Sequence, residues 1–224
     1  MKLLMTALLL LGLAAPARAI DKTDLDKRIR TLTTKFQIMQ GKADKRIPAE
    51  NLRKAKGVIL LDRTKAGFIF AFESGGGLAM VKDEKSGSWS APAFMRANEA
   101  SLGFQVGGQQ SFVVILLMNT NATHAVADSN INFGGEASGT AGNATGKADG
   151  TVPSDTGQVV MVYSDSSGLY GGVSITGGDL SPDVDGNVAY YGQSLTPKEI
   201  LFEQKVKPSE TAIALAKQLD QFSK

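Results

Sequence analysis

Apolar residues near the N-terminus recur at helical spacing. Leu25, Ile29, Leu32, Phe36 and Met39 stand four, three, four and three positions apart. That period places them on one side of a helix over residues 21–40. Lys22, Lys27, Arg28, Arg30 and Lys35 take much of the remainder. Asp21 and Asp24 fall where the helix dipole favours acids, and Gly41 stops the pattern. Pro48 suits a first helical turn and predicts a second, short helix to about residue 54.

From Gly57 the period changes. Short apolar runs alternate with glycine-rich links up to about Ile175. Residues 58–61, 67–72, 78–81, 88–94, 102–106, 112–118, 159–163 and 169–175 read as strands. Short links such as 74–77 and 85–87 predict antiparallel hairpins, with Gly75 to Gly77 read as a turn rather than a phosphate cradle. Residues 121–127 allow a short helical turn. Residues 134–157, rich in Gly, Ala, Ser and Thr, read as a smooth strand pair or a loop. Thr196, Pro197 and Glu199 open a short helix. Residues 208–222 form a last amphipathic helix, with Ile213, Leu215, Leu219 and Phe222 apolar. No fixed-period repeat and no linker appears, so residues 20–224 are expected to form one domain. Its class is α+β: a largely antiparallel glycine-rich sheet, sandwich- or barrel-like, flanked by N- and C-terminal helices.

The first 19 residues follow a different logic. Lys2 supplies a charge, residues 3–15 an apolar run of about 13 residues, and Ala17-Arg18-Ala19 a small-x-small cleavage pattern. A membrane span needs roughly 20 apolar residues. The segment is therefore expected to be a cleaved secretory signal, leaving a mature chain from Ile20. Export to the periplasm or cell envelope, peripheral to a membrane, follows. The chain has no cysteine, so packing rather than disulfides must hold it together.

Charge sharpens the picture. Residues 20–65 hold 13 Lys/Arg against 6 Asp/Glu, whereas residues 66–224 hold 9 against 16. A basic N-terminal part calls for an anionic partner, or is simply a solvated face. Nucleic acid is not expected for an exported protein. Anionic lipid headgroups are, at about 1 kcal/mol per well-placed basic side chain. In that reading Lys22, Lys27, Arg28, Arg30 and Lys35 approach phosphates while Leu25, Ile29, Leu32 and Phe36 insert shallowly. Arg46, Arg53, Lys54 and Lys56 extend the headgroup site. The same apolar stripe could instead cover the sheet.

Catalytic signals are poor. His124 is the sole histidine, and no nucleophile elbow accompanies it. Thiolate and histidine-rich metal sites have no ligands. Residues 142–147 are one residue short of a phosphate loop and lack its Ser/Thr. Asp179, Asp183 and Asp185 miss the EF-hand spacing and read as an acidic turn. Asp62, Glu73 and Asp165 could serve a hydrolase only if two faced each other across a cleft. No enzyme, cofactor or metal is expected. Trp89, the only tryptophan, is expected in the core.

Six short motifs run in one order: Ala55-Lys56-Gly57-Val58-Ile59, Gly75-Gly76-Gly77, Gly87-Ser88-Trp89-Ser90-Ala91-Pro92, residues 102–108, residues 167–173, and Asn187 with Tyr190-Tyr191-Gly192. In that order they resemble the SYLF domain, and Gly87 to Pro92 matches its most distinctive motif, GxWSAP. The resemblance covers about residues 50–203. It implies binding to phosphoinositides and other acidic lipids through a basic amphipathic N-terminal helix, and, in yeast relatives, to actin. This chain departs from the eukaryotic pattern by its export signal and its lack of an SH-type or zinc-finger domain. Phosphatidylglycerol- or cardiolipin-like lipids are then the expected ligands. The alternative is a structural protein of the envelope that binds a protein partner or itself.

Overall fold

The helical spacing of the N-terminal segment becomes α1 (Lys22–Gly41). The computed structural model describes residues 20–66, 72–99, 109–128, 137–140, 150–153, 157, 159–167, 172–175 and 180–224. Asp21 caps α1 by accepting from the Asp24 amide at 2.9 Å. The predicted stripe Leu25, Ile29, Leu32, Phe36 and Met39 is wholly buried. Pro48 precedes α2 (Ala49–Lys54), which buries Leu52.

The strands follow: β1 (Gly57–Ala66), β2 (Phe72–Val81), β3 (Ala93–Glu99) and β4 (Gln109–Leu117). After α3 (Thr120–Ala127) come β5 (Ala137–Thr140), β6 (Gly150–Pro153), β7 (Val159–Ser167), β8 (Gly172–Ile175) and β9 (Leu180–Pro182). Three helices close the chain: α4 (Val184–Tyr191), α5 (Pro197–Leu201) and α6 (Glu210–Phe222). The main sheet has the order β6-β7-β4-β1-β2-β3-β9, and every pairing in it is antiparallel. β5 and β8 form a separate pair.

Helices cover both faces of this sheet. On one face Val58, Leu60, Met80, Val114 and Phe94 pack with the apolar sides of α1, α2 and α6. On the other, Ile59, Leu61, Val113 and Ile115 pack with Val126 of α3 and Ile200 and Leu201 of α5. The central strands are apolar without alternation over Val58–Leu61, Leu78–Val81 and Phe112–Leu117, where both faces of the sheet are covered. The five α1 side chains alone contribute on the order of 10 kcal/mol of apolar burial, before the entropy of ordering the helix is subtracted.

The α+β class and the antiparallel sheet agree with the sequence reading. Seven of the described strands form one open sheet that is not closed into a barrel, with helices on both of its faces. Residues 74–77 lie inside β2 and are no turn. A Cβ on Gly77 would stand 2.3 Å from the Leu60 carbonyl oxygen, so the glycine run serves a close strand approach. β3 starts at Ala93, later than the expected strand over 88–94. Within residues 134–157, β5 and β6 pair with β8 and β7 rather than with each other. The acidic turn expected around Asp183 is the start of α4, whose first amides Asp183 caps. Ile213 is 44% exposed and does not join the buried side of α6. The strand expected over 102–106 and most of that over 67–72 lie outside the described residues.

Candidate functional site

Arg28 and Lys35 are spaced seven apart, close to two turns at about 3.6 residues per turn, so they share one side of α1, and Lys42 follows as its C-cap. Each meets an acid. Arg28 donates to Asp183 at 3.1 Å, Lys35 to Asp62 at 2.6 Å and Lys42 to Asp165 at 2.6 Å. Strand register explains the match. Asp165, Phe112, Asp62, Gly76 and Arg96 are consecutive partners across β7, β4, β1, β2 and β3. One transverse row of the sheet thus carries the counter-charges of Lys35 and Lys42, and Arg96 of the same row joins Arg28 on Asp183, the cap of α4. Asp183 also accepts from Arg96 at 2.7 Å and from the Gly186 amide at 3.1 Å. Burial alone would raise its pKa. The hydrogen bonds from Arg96, Gly186 and Arg28 outweigh burial and hold it below the usual carboxylate value.

The expected lipid-contacting residues divide accordingly. Leu25, Ile29, Leu32 and Phe36 are core side chains, so the docked helix has no apolar face to insert. The stripe covers the sheet, the second of the two arrangements its pattern allowed. Arg28 and Lys35 are engaged with Asp183 and Asp62. Lys22 lies over the Tyr190 ring at 5.6 Å. Lys27, Arg30, Arg46 and Arg53 are exposed and form no ion pair among the described residues. Lys54 pairs with Glu50, and Lys56 with Glu84.

Of these residues Lys56 lines a cleft of about 630 Å³. Its walls are the loop from Lys82 to Ala91, the start of α3 and the link between α5 and α6. The loop is fixed locally. Asp83 accepts from the Lys85 and Ser86 amides and the Ser86 hydroxyl. Gly87 takes φ +69°, which a side chain would resist. Lys82 and Trp89 form a bridge across the loop's base, and Ser90 Oγ accepts from the Val81 amide.

Trp89 is 9% exposed, as a core residue should be, yet it lines the cleft. Its Nε1 donates to Asp220 of α6 at 2.9 Å. Lys82 Nζ stands 4.8 Å from its ring centroid, a cation–π contact. Burial lowers the Lys82 pKa, and the Asp220 charge opposes this in part. On the far wall His124 stacks on Phe202 at 4.8 Å. Lys56, Lys82, Lys85 and Lys207 line the cleft against Asp83 and Glu84, leaving a cationic surplus. Gln204, also on the wall, holds φ 51°, an uncommon backbone state for a non-glycine residue.

The sequence reading reached Lys56 and, through the GxWSAP motif, the Trp89 loop. It missed Lys82, Lys85 and Lys207 as a group, because two segments distant in sequence bring them together. His124, for which the sequence offered no catalytic partner, is part of the wall. Among the described residues no three His, Cys, Asp or Glu side chains group as metal ligands. No described helix is long and apolar enough to cross a membrane.

A family model described as "Las17-binding protein actin regulator" matches residues 98–222. Protein YSC84 of Saccharomyces cerevisiae is 34% identical over 171 residues, 75% of this chain and 36% of the yeast protein. LAS seventeen-binding protein 3 of the same yeast is 33% identical over 162 residues, 71% of this chain and 35% of that protein. Human SH3 domain-containing YSC84-like protein 1 is 33% identical over 181 residues, 80% of this chain and 52% of the human protein. The chain thus spans about half or less of these relatives. No solved structure matches. With the family model covering more than half of its length, the chain belongs to the Ysc84 family of SYLF-domain proteins.

Proposed function

We propose that the domain is a non-enzymatic module that binds anionic phospholipid headgroups at a membrane surface while α1 stays docked. The observation that carries this reading is the gathering of Lys56, Lys82, Lys85 and Lys207 in one cleft. Four such contacts, at about 1 kcal/mol each, supply several kcal/mol before the cost of association. The electrostatic share is screened by salt. The family supports a binding role. The N-terminal pattern supports export, with the domain peripheral to an envelope membrane, and mass spectrometry of the expressed chain tests this by whether it starts at Ile20.

Co-sedimentation with vesicles tests the lipid reading. Phosphatidylglycerol vesicles should carry the protein down at low salt and release it at high salt, and phosphatidylcholine vesicles should not. No sedimentation with any vesicle would sink it. A protein partner is the second reading. The words "Las17-binding" and "LAS seventeen-binding" describe relatives that bind a protein. Val184 and Val188, 59% and 38% exposed one turn apart on α4, offer such a partner an apolar contact.

A further inference from the structure

Lys82 sits in an unusual position for a surface lysine. The residue is half-buried and its ammonium lies over the Trp89 ring, and it makes no ion pair among the described residues. Asp220, whose charge favours the ammonium, has its carboxylate engaged by Trp89 Nε1. A partly desolvated cation without a carboxylate of its own is a ready seat for an external anion. The cations of the cleft are all lysines. Lysines act as point charges that can meet divergent oxygens, whereas a planar carboxylate is better matched by the arginine fork. A tetrahedral phosphate suits the lysine set. Beside these charges the walls are apolar, through Trp89, Leu201, Phe202 and Val206. A volume of about 630 Å³ falls in the range of single-ligand sites, roughly 300–1,000 Å³. The walls are pre-formed by the Asp83 turn and the Trp89–Asp220 bond.

We infer that this cleft is a pocket for one phosphate ester, whose phosphate seats on Lys82 and whose carbon body lies against Trp89, Phe202 and Val206. The inference rests on the reading of the domain as an anion-binding module and deepens it: the ligand enters a cleft rather than spreading over a surface. The ester is either the headgroup end of a membrane lipid or a soluble molecule.

Trp89 is the only tryptophan, so its emission reports on this cleft without a label. The purified protein is titrated with dihexanoyl phosphatidic acid below its micelle concentration, and separately with inorganic phosphate. Lys82→Gln and Lys82→Arg are titrated in parallel, with circular dichroism to verify folding. The expected result is a saturable one-site change with the short-chain ester and binding at least about tenfold weaker for inorganic phosphate. Lys82→Gln should weaken the ester by roughly tenfold or more, the loss of one charge-assisted hydrogen bond, and Lys82→Arg by less. No saturable response to the ester, or equal affinity in folded Lys82→Gln, would overturn the inference. Vesicle co-sedimentation of the same proteins separates the cases. Competition by the soluble ester against phosphatidylglycerol vesicles assigns the pocket to lipid. Saturable ester binding without competition assigns it to a soluble ligand. Vesicle binding with a silent pocket removes the pocket alone, and loss of both removes the module reading too.

Discussion

Arg28 lies across the bare backbone of Gly76 and ends on Asp183. A Cβ on Gly76 would stand 2.9 Å from Arg28 Cζ, and the guanidinium donates to Asp183 at 3.1 Å. The glycine of β2 is the place where α1's first paired cation passes over the sheet. At Gly77 the obstacle is the Leu60 carbonyl itself, whose oxygen would lie 2.3 Å from an added Cβ. Backbone yields far less readily than the end of an arginine. Urea unfolding should therefore rank the two alanine variants. Gly76→Ala should cost about 1–2 kcal/mol and Gly77→Ala about 3 kcal/mol or more. Equal costs would show that the Arg28 contact is as rigid as the sheet.

Asp183 ties α1, β3 and α4 together, and its depressed pKa sets a pH dependence. A carboxylate whose folded pKa lies below its unfolded value contributes stability above the unfolded value, near 3.8. That contribution is lost as pH falls through the folded pKa. Wild-type stability should thus decline below about pH 4, and Asp183→Asn should flatten part of that decline. At neutral pH the substitution should cost roughly 1–2 kcal/mol. Asn caps a helix about as well as Asp, so the loss comes from two arginines that lose their anion, discounted because both reach solvent. Unfolding curves of both proteins at pH 7 and pH 3 measure the difference, which cancels the other depressed carboxylates.

Because α1 supplies core, it cannot be removed as an independent lipid anchor. A chain starting at Pro48 would expose Val58, Leu60 and Met80, which α1 helps to cover. It should lose cooperative thermal unfolding. Phe36→Ala, at a fully buried site, should cost about 3–5 kcal/mol in urea. A cooperative transition in the truncated chain would show that the sheet is stable without its cover.

Asn187 is 1% exposed and clamps one residue of β3. It accepts from the Phe94 amide and donates to the Phe94 carbonyl. Asn187→Ala would leave the Phe94 amide buried without a partner, while the Phe94 carbonyl keeps its bond from the Asp183 amide at 2.9 Å. A loss of about 1–3 kcal/mol is expected by calorimetry, the cost of one orphaned group. Asn187→Asp should also destabilise, because a carboxylate has no N–H for the Phe94 carbonyl.

Periodicity made α1 legible because all five stripe residues point at one surface. It could not say which surface, since a bilayer and a sheet ask for the same stripe; the acids at 62, 165 and 183 decide the matter, and strand register is invisible in sequence. Gly75 to Gly77 misled as a turn, because a glycine needed for close approach looks like one needed for positive φ. α4 escaped because Gly186, Asn187 and its valines are weak helix formers; its tertiary contacts to β3 override propensity. The cleft was half legible. The GxWSAP motif marked the Trp89 loop, but nothing in the spacing announced that His124, Phe202 and Lys207 would face it.

Binding to anionic lipid with α1 still docked is the proposal on which the rest depends. Hydrogen exchange of the backbone amides, with and without phosphatidylglycerol vesicles, reads both halves of it at once. The α1 amides from Leu25 to Met39 should keep their protection on vesicles, while the loop from Lys82 to Ala91 gains protection. Loss of protection through α1 on vesicles, with the loop unchanged, would contradict the proposal and return the apolar stripe to the membrane.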